Sequence, residues 1–115
     1  MIRSALTTAS LTLLATMFVP GADVARADEP VMLSLTIKDR RFEPAELHAP
    51  AGKPIVVTIK NLGSVPSEFE SETLHVEKVI APGGEAVVHV RPLEPGRYVF
   101  FDDFHRASQG LLVVP

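Results

Sequence analysis

The sequence predicts an all-β domain, built as a Greek-key β-sandwich or a small barrel. Apolar and polar residues alternate over short segments, and no stretch shows a sustained apolar stripe at helical spacing. Turn signals rich in Gly and Pro recur about every ten residues, which is typical of turns between short strands. Short strands with this spacing favour two packed sheets or a small closed barrel.

The first predicted strand is the clearest, because Val, Leu, Leu and Ile alternate with Met, Ser, Thr and Lys between Val31 and Lys38. Residues 61–66 are predicted to form a loop, since Gly63 and Pro66 interrupt any regular pattern there. The other predicted strands cover residues 46–50, 54–61, 67–71, 74–80, 85–90, 96–101 and 110–114.

The N-terminus has the features of a signal peptide. Arg3 precedes an apolar stretch at residues 5–19, and the small residues Ala25 and Ala27 stand before a predicted cleavage point after Ala27. The stretch contains several Thr and Ser and is shorter than the roughly 20 residues that span a bilayer. Residues 1–27 are therefore predicted to be removed.

The mature domain, residues 28–115, is predicted to lie outside the cytoplasm and not to be embedded in the membrane. Without Arg3, Arg26 and Asp23, the 11 basic and 14 acidic residues become 9 and 13, a net charge of −4. A mildly acidic domain argues against a nucleic-acid partner, which requires clustered Lys and Arg. The chain has no cysteine, so it can form neither disulfides nor a thiolate metal site.

A first acidic cluster lies at Glu68-Phe69-Glu70-Ser71. In a strand, side chains two residues apart point to one face at roughly 6.5–7 Å, so Glu68 and Glu70 should project together. A multivalent cation would turn their mutual repulsion into attraction. Alternatively, both lie on the solvent face of an edge strand, where charge discourages edge-to-edge pairing.

A second acidic cluster lies in the segment FDDFH at residues 101–105. If the preceding strand continues, Asp102 shares a face with Phe100 and Asp103 shares the other with Phe101, while His105 follows in a loop. Carboxylates with one imidazole suit iron, manganese or cupric copper better than cuprous copper. The alternative is a solvated loop with aromatic residues packed beneath it.

Other ligand candidates are weaker. His75 and Glu77 share a strand face soon after the first acidic cluster, so they form a secondary ligand set. His48 and His89 are predicted to be exposed strand histidines. Met32, the one sulfur-containing residue of the mature domain, is predicted to serve packing rather than metal binding.

Several segments across residues 31–114 also carry a resemblance to a known family. The segments are Phe42-Glu43-Pro44, Ala51-Gly52-Lys53-Pro54, Asn61, Glu68-Phe69-Glu70, Ala81-Pro82-Gly83, Pro95-Gly96-Arg97-Tyr98 and Gly110-Leu111-Leu112-Val113-Val114. They resemble the cupredoxin-like domain of periplasmic bacterial iron-uptake systems, in the stand-alone form of the EfeO-type domain. The Glu-aromatic-Glu element is the most specific, because in that family it is associated with metal binding.

The resemblance implies a cupredoxin-like fold that binds iron, copper or both, with Glu68, Glu70 and Asp102 as principal ligands and Asp103 and His105 next. It also implies that the protein passes or oxidises iron for an inner-membrane iron permease, or works with another periplasmic iron-binding protein. Asp102 stands at about the position where blue-copper cupredoxins have their cysteine. A type 1 blue-copper electron carrier is therefore not expected.

Catalysis remains open at this stage. Carboxylate ligands stabilise ferric over ferrous iron, which is compatible with ferroxidase-like activity, but the sequence supplies no obvious electron acceptor. No Ser or Cys stands in a recognisable nucleophile motif, which argues against a hydrolase. We therefore predict a metal-binding protein. The alternative is a non-catalytic partner-docking subunit without its own metal, using Phe69, Phe101 and Phe104.

Overall fold

The computed structural model describes residues 5, 10, 12–17 and 29–115. Over these residues it contains β-strands and no α-helix, which confirms the all-β prediction, and no helix long and apolar enough to cross a membrane was found among them. The predicted signal peptide, residues 1–27, lies mostly outside the described residues and stays a prediction. The strands are β1 (Val31–Lys38), β2 (Arg41–Glu43), β3 (Glu46–His48), β4 (Ile55–Asn61), β5 (Ser67–Ser71), β6 (Val76–Ile80), β7 (Glu85–Val90), β8 (Gly96–Asp102) and β9 (His105–Val114).

The strands form two sheets that pack face to face as a sandwich. One sheet has the strand order β2-β1-β4-β7, and the other has the order β3-β9-β8-β5-β6. Strands β1 and β4 pair in parallel, as do β3 and β9, whereas the remaining pairs are antiparallel. The chain thus passes repeatedly from one sheet to the other, so most neighbouring strands are distant in sequence.

Three phenylalanines form the centre of the core. The ring of Phe100 lies 5.0 Å from the rings of both Phe42 and Phe69, and its contact with Phe42 is edge-to-face. Aromatic pairs at these separations add to the stability gained from burial. Phe69 of β5 and Phe100 of β8 therefore fix the inner faces of two neighbouring strands, and the residues that flank them in sequence must face outward.

The loop before β5 is held by one buried amide. The Asn61 side chain donates to the carbonyl oxygens of Val65 at 2.8 Å and Ile80 at 3.1 Å, and it accepts a hydrogen bond from the Gly63 N–H at 2.9 Å. These side-chain hydrogen bonds satisfy backbone groups of the loop and of Ile80. The predicted loop at residues 61–66 therefore has a defined shape and leads into β5.

Two elements differ from the prediction by more than two residues, whereas β3, β4, β6 and β8 differ by one or two. Strand β2 was not expected, since the preceding turn at Asp39 and Arg40 contains neither Gly nor Asn although both residues have positive φ, 51° and 59°. Strand β9 begins at His105 rather than at residue 110. The predicted loop around His105 is therefore wrong: Asp102 pairs directly with His105, and two residues complete the turn.

Candidate metal site

Three carboxylates converge on the outer face of the five-stranded sheet. Glu68 and Glu70 of β5 and Asp103, which follows β8, each offer an oxygen within 4.8 Å of the others. The Asp103 N–H donates to the Glu68 carbonyl oxygen at 2.9 Å, which ties the turn after β8 to β5. We call these three residues the acidic cluster. Of the predicted ligands, the structure brings together both glutamates and Asp103.

Alternation along two strands explains this convergence. Phe69 is 1% exposed and points into the core, so Glu68 and Glu70 point to the opposite face of the sheet. Phe69 is paired with Asp102 on β8, so Asp102 shares the inward face and Asp103 is the first residue beyond the strand that can face outward. The core residue between the glutamates therefore orients the whole cluster.

A fourth carboxylate, Glu77 of β6, lies beside the cluster because it pairs with Glu70. A hydrogen bond with the Glu77 side chain, then burial, then repulsion from Glu77, Asp103 and Glu70 raise the pKa of Glu68 to about 7. Burial, followed by repulsion from Asp103 and Glu77, raises the pKa of Glu70. Without a cation, the folded protein thus favours protonation of these groups.

One basic residue borders the acidic cluster. The Arg106 Nη2 atom lies 2.7 Å from Asp103 Oδ1, and the guanidinium carbon lies 5.8 Å from the centre of the Phe101 ring. The Arg106 side chain is 76% exposed, so solvent weakens its attraction for the carboxylates. Its charge lowers the pKa of Glu70 but is outweighed by burial and the neighbouring carboxylates. Arg106 therefore neutralises the negative charge of the acidic cluster only in part.

Asp102, predicted as a principal ligand, is not part of the acidic cluster. It is fully buried on the inner face. Its Oδ1 accepts hydrogen bonds from the N–H groups of Glu68 and Phe104, both at 3.0 Å, and its Oδ2 lies 3.2 Å from His105 Nδ1. The predicted grouping of Asp102 with Glu68 fails because the two side chains leave the sheet on opposite faces.

The role of Asp102 is structural. Burial alone would raise the pKa of Asp102, but hydrogen bonds from the Glu68 N–H, the Ser67 hydroxyl, the Phe104 N–H and His105 together lower it. The carboxylate thus joins β5, the turn after β8 and the start of β9. Ser67 was missed in the sequence analysis, because only the β5–β8 pairing brings it to Asp102.

Neither His105 nor His75 is a member of the acidic cluster. His105 is oriented by Asp102 and lines two surface cavities together with Arg40. His75 has a φ of 55° and stands in the turn before β6, so it does not share a strand face with Glu77 as predicted. Instead His75, Glu70 and Glu77 line one shallow cavity of about 260 Å³.

The remaining sequence predictions have mixed outcomes. His48 and His89 are exposed strand residues, as expected. The predicted docking surface of Phe69, Phe101 and Phe104 is wrong for Phe69, which is a core residue. Phe104 is 48% exposed and Phe101 is half-buried beside the acidic cluster.

The donor set determines which chemistry fits. Carboxylate oxygens suit hard and intermediate cations such as iron, manganese or cupric copper, whereas cuprous copper prefers sulfur. Blue-copper centres require a cysteine thiolate, and this chain contains no cysteine, so such a centre does not fit. The acidic cluster can hold a cation through oxygen atoms, with Glu77 near enough to add a further ligand.

The raised pKa of Glu68 leads to a prediction for the metal-free protein. Between the ordinary value of 4.5 and about 7, folded Glu68 holds a proton that the unfolded chain has released. The unfolding free energy should therefore decrease as the pH rises through this window. Urea unfolding at about pH 5 and about pH 8, with and without Glu68→Gln, measures the effect. Glu68→Gln should reduce the pH dependence, and an unchanged slope would contradict the assignment.

Comparisons with known proteins support the architecture. The family model of the cupredoxin-like domain matches residues 8–114. An uncharacterized protein of Rickettsia prowazekii (strain Madrid E) is 36% identical over 88 residues, which cover 76% of this chain and 70% of that protein.

Two solved structures have the same fold at low sequence identity. One is the metal-binding domain of the Cu(I)-exporting P-type ATPase CopA of Streptococcus pneumoniae D39 with Cu(I), which has a TM-score of 0.65 and 20% identity over 73% of this chain and 84% of that chain. The other is dithionite-reduced auracyanin of Roseiflexus castenholzii, with a TM-score of 0.62 and 18% identity over 76% of this chain and 99% of that chain. They confirm the predicted cupredoxin-like Greek-key fold, and the narrower EfeO-type assignment stays a prediction.

Proposed function

This chain belongs to the cupredoxin-like domain family, and we propose that it uses this scaffold to bind iron through Glu68, Glu70 and Asp103. The observation that carries the proposal is the convergence of three carboxylates whose ligand atoms lie within 4.8 Å of one another. Iron is here the cargo, which the protein holds for uptake into the cell.

The electrostatics of the acidic cluster support a cation as its occupant. Burial and mutual repulsion raise the pKa of both Glu68 and Glu70, so a multivalent cation would relieve a cost that the empty cluster imposes on the fold. Glu68 is only 7% exposed, which shields its charge from water and strengthens its attraction for an ion.

The donor atoms favour iron over the copper held by the pneumococcal domain. All three ligands are oxygens, and ferric iron gains more from anionic oxygen donors than ferrous iron does. Cupric copper also binds oxygen ligands and often competes successfully with ferrous iron at such sites. Selectivity must therefore be measured, and copper is the principal competitor.

We place this function in the periplasm, after removal of residues 1–27. In this proposal the mature domain gives iron to an inner-membrane permease or to another periplasmic iron-binding protein. Phe101 and Phe104 lie next to the acidic cluster, where a receiving protein could contact them while the ion is transferred. Oxidation of the bound iron is a secondary possibility that requires an external electron acceptor.

An anaerobic titration with ferrous iron, cupric copper and manganese tests the proposal. The native protein should bind iron at one saturable site, and Glu68→Gln with Glu70→Gln should weaken binding by about a hundredfold or more because two anionic ligands are lost. Isothermal calorimetry gives the affinity, and circular dichroism verifies that the variant is folded.

A matched control removes two carboxylates elsewhere on the surface. Glu46 and Glu85 are exposed and lie on other strands, so Glu46→Gln with Glu85→Gln makes the same change in net charge. Iron affinity in this control should remain within about twofold of the native value. If the control weakens binding as much as the cluster variant, or if native protein binds no metal, the proposed site is wrong.

A further inference from the structure

A second site lies beside the start of β9 and borders the acidic cluster at Arg106. Arg40, Arg41 and Arg106 line a surface cleft of about 590 Å³, and Asp39 is the one carboxylate among the described residues that line it. This volume falls within the range of roughly 300–1,000 Å³ that is usual for small-molecule sites. The cleft therefore combines a suitable size with an excess of positive charge.

The concentration of arginine is unusual for this protein. The mature domain has 13 acidic and 9 basic residues, yet three of the nine basic residues meet in this cleft. Arg106 contacts Asp103, which reduces its attraction for an added anion. Arg40 and Arg41 form no ion pair among the described residues, so their charges are the ones available to a ligand.

The backbone holds Arg40 in a conformation that this residue rarely adopts. Arg40 has a φ of 59° in the two-residue turn after β1, where Asn-Gly or Asp-Gly is usual. The Ser108 hydroxyl donates a hydrogen bond to the Arg40 carbonyl oxygen, which fastens this turn to β9. The turn that carries Arg40 is thereby fixed against β9 at the edge of the cleft.

We propose that this cleft binds a small organic polycarboxylate, with Arg40 and Arg41 as its anion-binding groups. Guanidinium groups match carboxylates through paired hydrogen bonds, and two adjacent arginines can hold two carboxylates of one molecule. The exposed Ala45 and Ala107, with the small part of Phe42 that remains accessible, supply an apolar surface in the same cleft, which suits the carbon skeleton of an organic anion better than an inorganic one.

Organic polycarboxylates can also bind iron, the metal that we propose as the cargo. Polycarboxylates chelate ferric iron through the same kind of oxygen donors as the acidic cluster. A role of the cleft in receiving a metal chelate rests on the proposed function, but binding of the metal-free anion does not. The two proposals can therefore fail independently.

Calorimetric titration of metal-free protein with citrate tests the cleft, in a buffer freed of metal by a solid chelating resin so that no soluble polycarboxylate competes with citrate. Native protein should bind citrate at one saturable site, and Arg40→Gln with Arg41→Gln should weaken this binding by about tenfold or more. Inorganic phosphate should bind more weakly than citrate because it cannot use the apolar surface. Amide shifts in NMR spectra should locate the citrate at Arg40, Arg41 and the start of β9.

Two control variants make the test specific. Lys60→Gln with Arg97→Gln removes two exposed positive charges outside the cleft, and Glu68→Gln with Glu70→Gln removes the acidic cluster; citrate affinity should be unchanged in both. The proposal is overturned if native protein does not bind citrate, if Arg40→Gln with Arg41→Gln binds it as tightly as native protein, or if the Lys60 and Arg97 control loses as much affinity.

Discussion

Asp102→Asn should lower the free energy of unfolding by roughly 2–4 kcal/mol, whereas Asp103→Asn should change it by less than about 1 kcal/mol. Asp102 is fully buried, and asparagine would lose the negative charge that strengthens the hydrogen bonds from two backbone N–H groups and would place an NH₂ group beside His105. Asp103→Asn weakens a partly exposed ion pair with Arg106, but it also relieves repulsion of Glu68 and Glu70.

Metal affinity should show the reverse order. Asp103→Asn removes a member of the acidic cluster and should weaken iron binding by about tenfold or more, whereas folded Asp102→Asn protein should retain most of its affinity. Urea denaturation measures the first property and calorimetric titration the second. Equal effects of the two substitutions on both properties would show that Asp102 and Asp103 do not divide these roles.

Gly110→Ala should destabilise the protein by about 3 kcal/mol or more, because it overpacks the centre of the core. Gly110 lies opposite Phe100 in the β8–β9 pairing, and a Cβ at this position would overlap the Phe100 ring. The ring cannot move aside, since it is 1% exposed and packs against Phe42 and Phe69. Thermal or urea unfolding measures the loss.

Gly96→Ala is the matched control for this prediction. Gly96 begins the same strand as Phe100, but a Cβ there would meet only Tyr98 atoms at 3.5 Å or more, an ordinary contact distance. The cost should be below about 1 kcal/mol. Gly110→Ala should cost less stability in a Phe100→Leu background than in the native protein, and an equal cost in both would mean that the overlap is not the cause.

Most of the fold could be predicted from the sequence, because strand alternation and turn residues are local signals. The bounds of β1, β5 and β7 agree with the prediction residue for residue. Strand β2 could not be found this way, since three residues are too few for a period and the turn before it uses Asp39 and Arg40 in place of Asn and Gly. Its pairing with β1 is visible only in three dimensions.

The candidate site could be predicted only in part from the sequence, and the main error was to place Asp102 among the principal ligands. Alternation around Phe69 and Phe100 already implied that Glu68, Glu70 and Asp103 face outward and that Asp102 faces inward. The ranking of Asp102 above Asp103 came instead from its position in the family resemblance. Contributions of Ser67 and Glu77 depend on strand pairing across the sheet, which no local pattern determines.

The placement of Phe69 between two outward carboxylates has a wider consequence. Within β5, Phe69 packs in the core, whereas Glu68 and Glu70 belong to the acidic cluster. Stability and ion binding therefore depend on alternate positions of one short strand. Substitution of the outer residues can therefore change the preferred cation without repacking the interior. This separation makes the sheet surface a suitable platform for the evolution or design of new metal preferences, as in replacement of Glu70 by histidine for cupric copper.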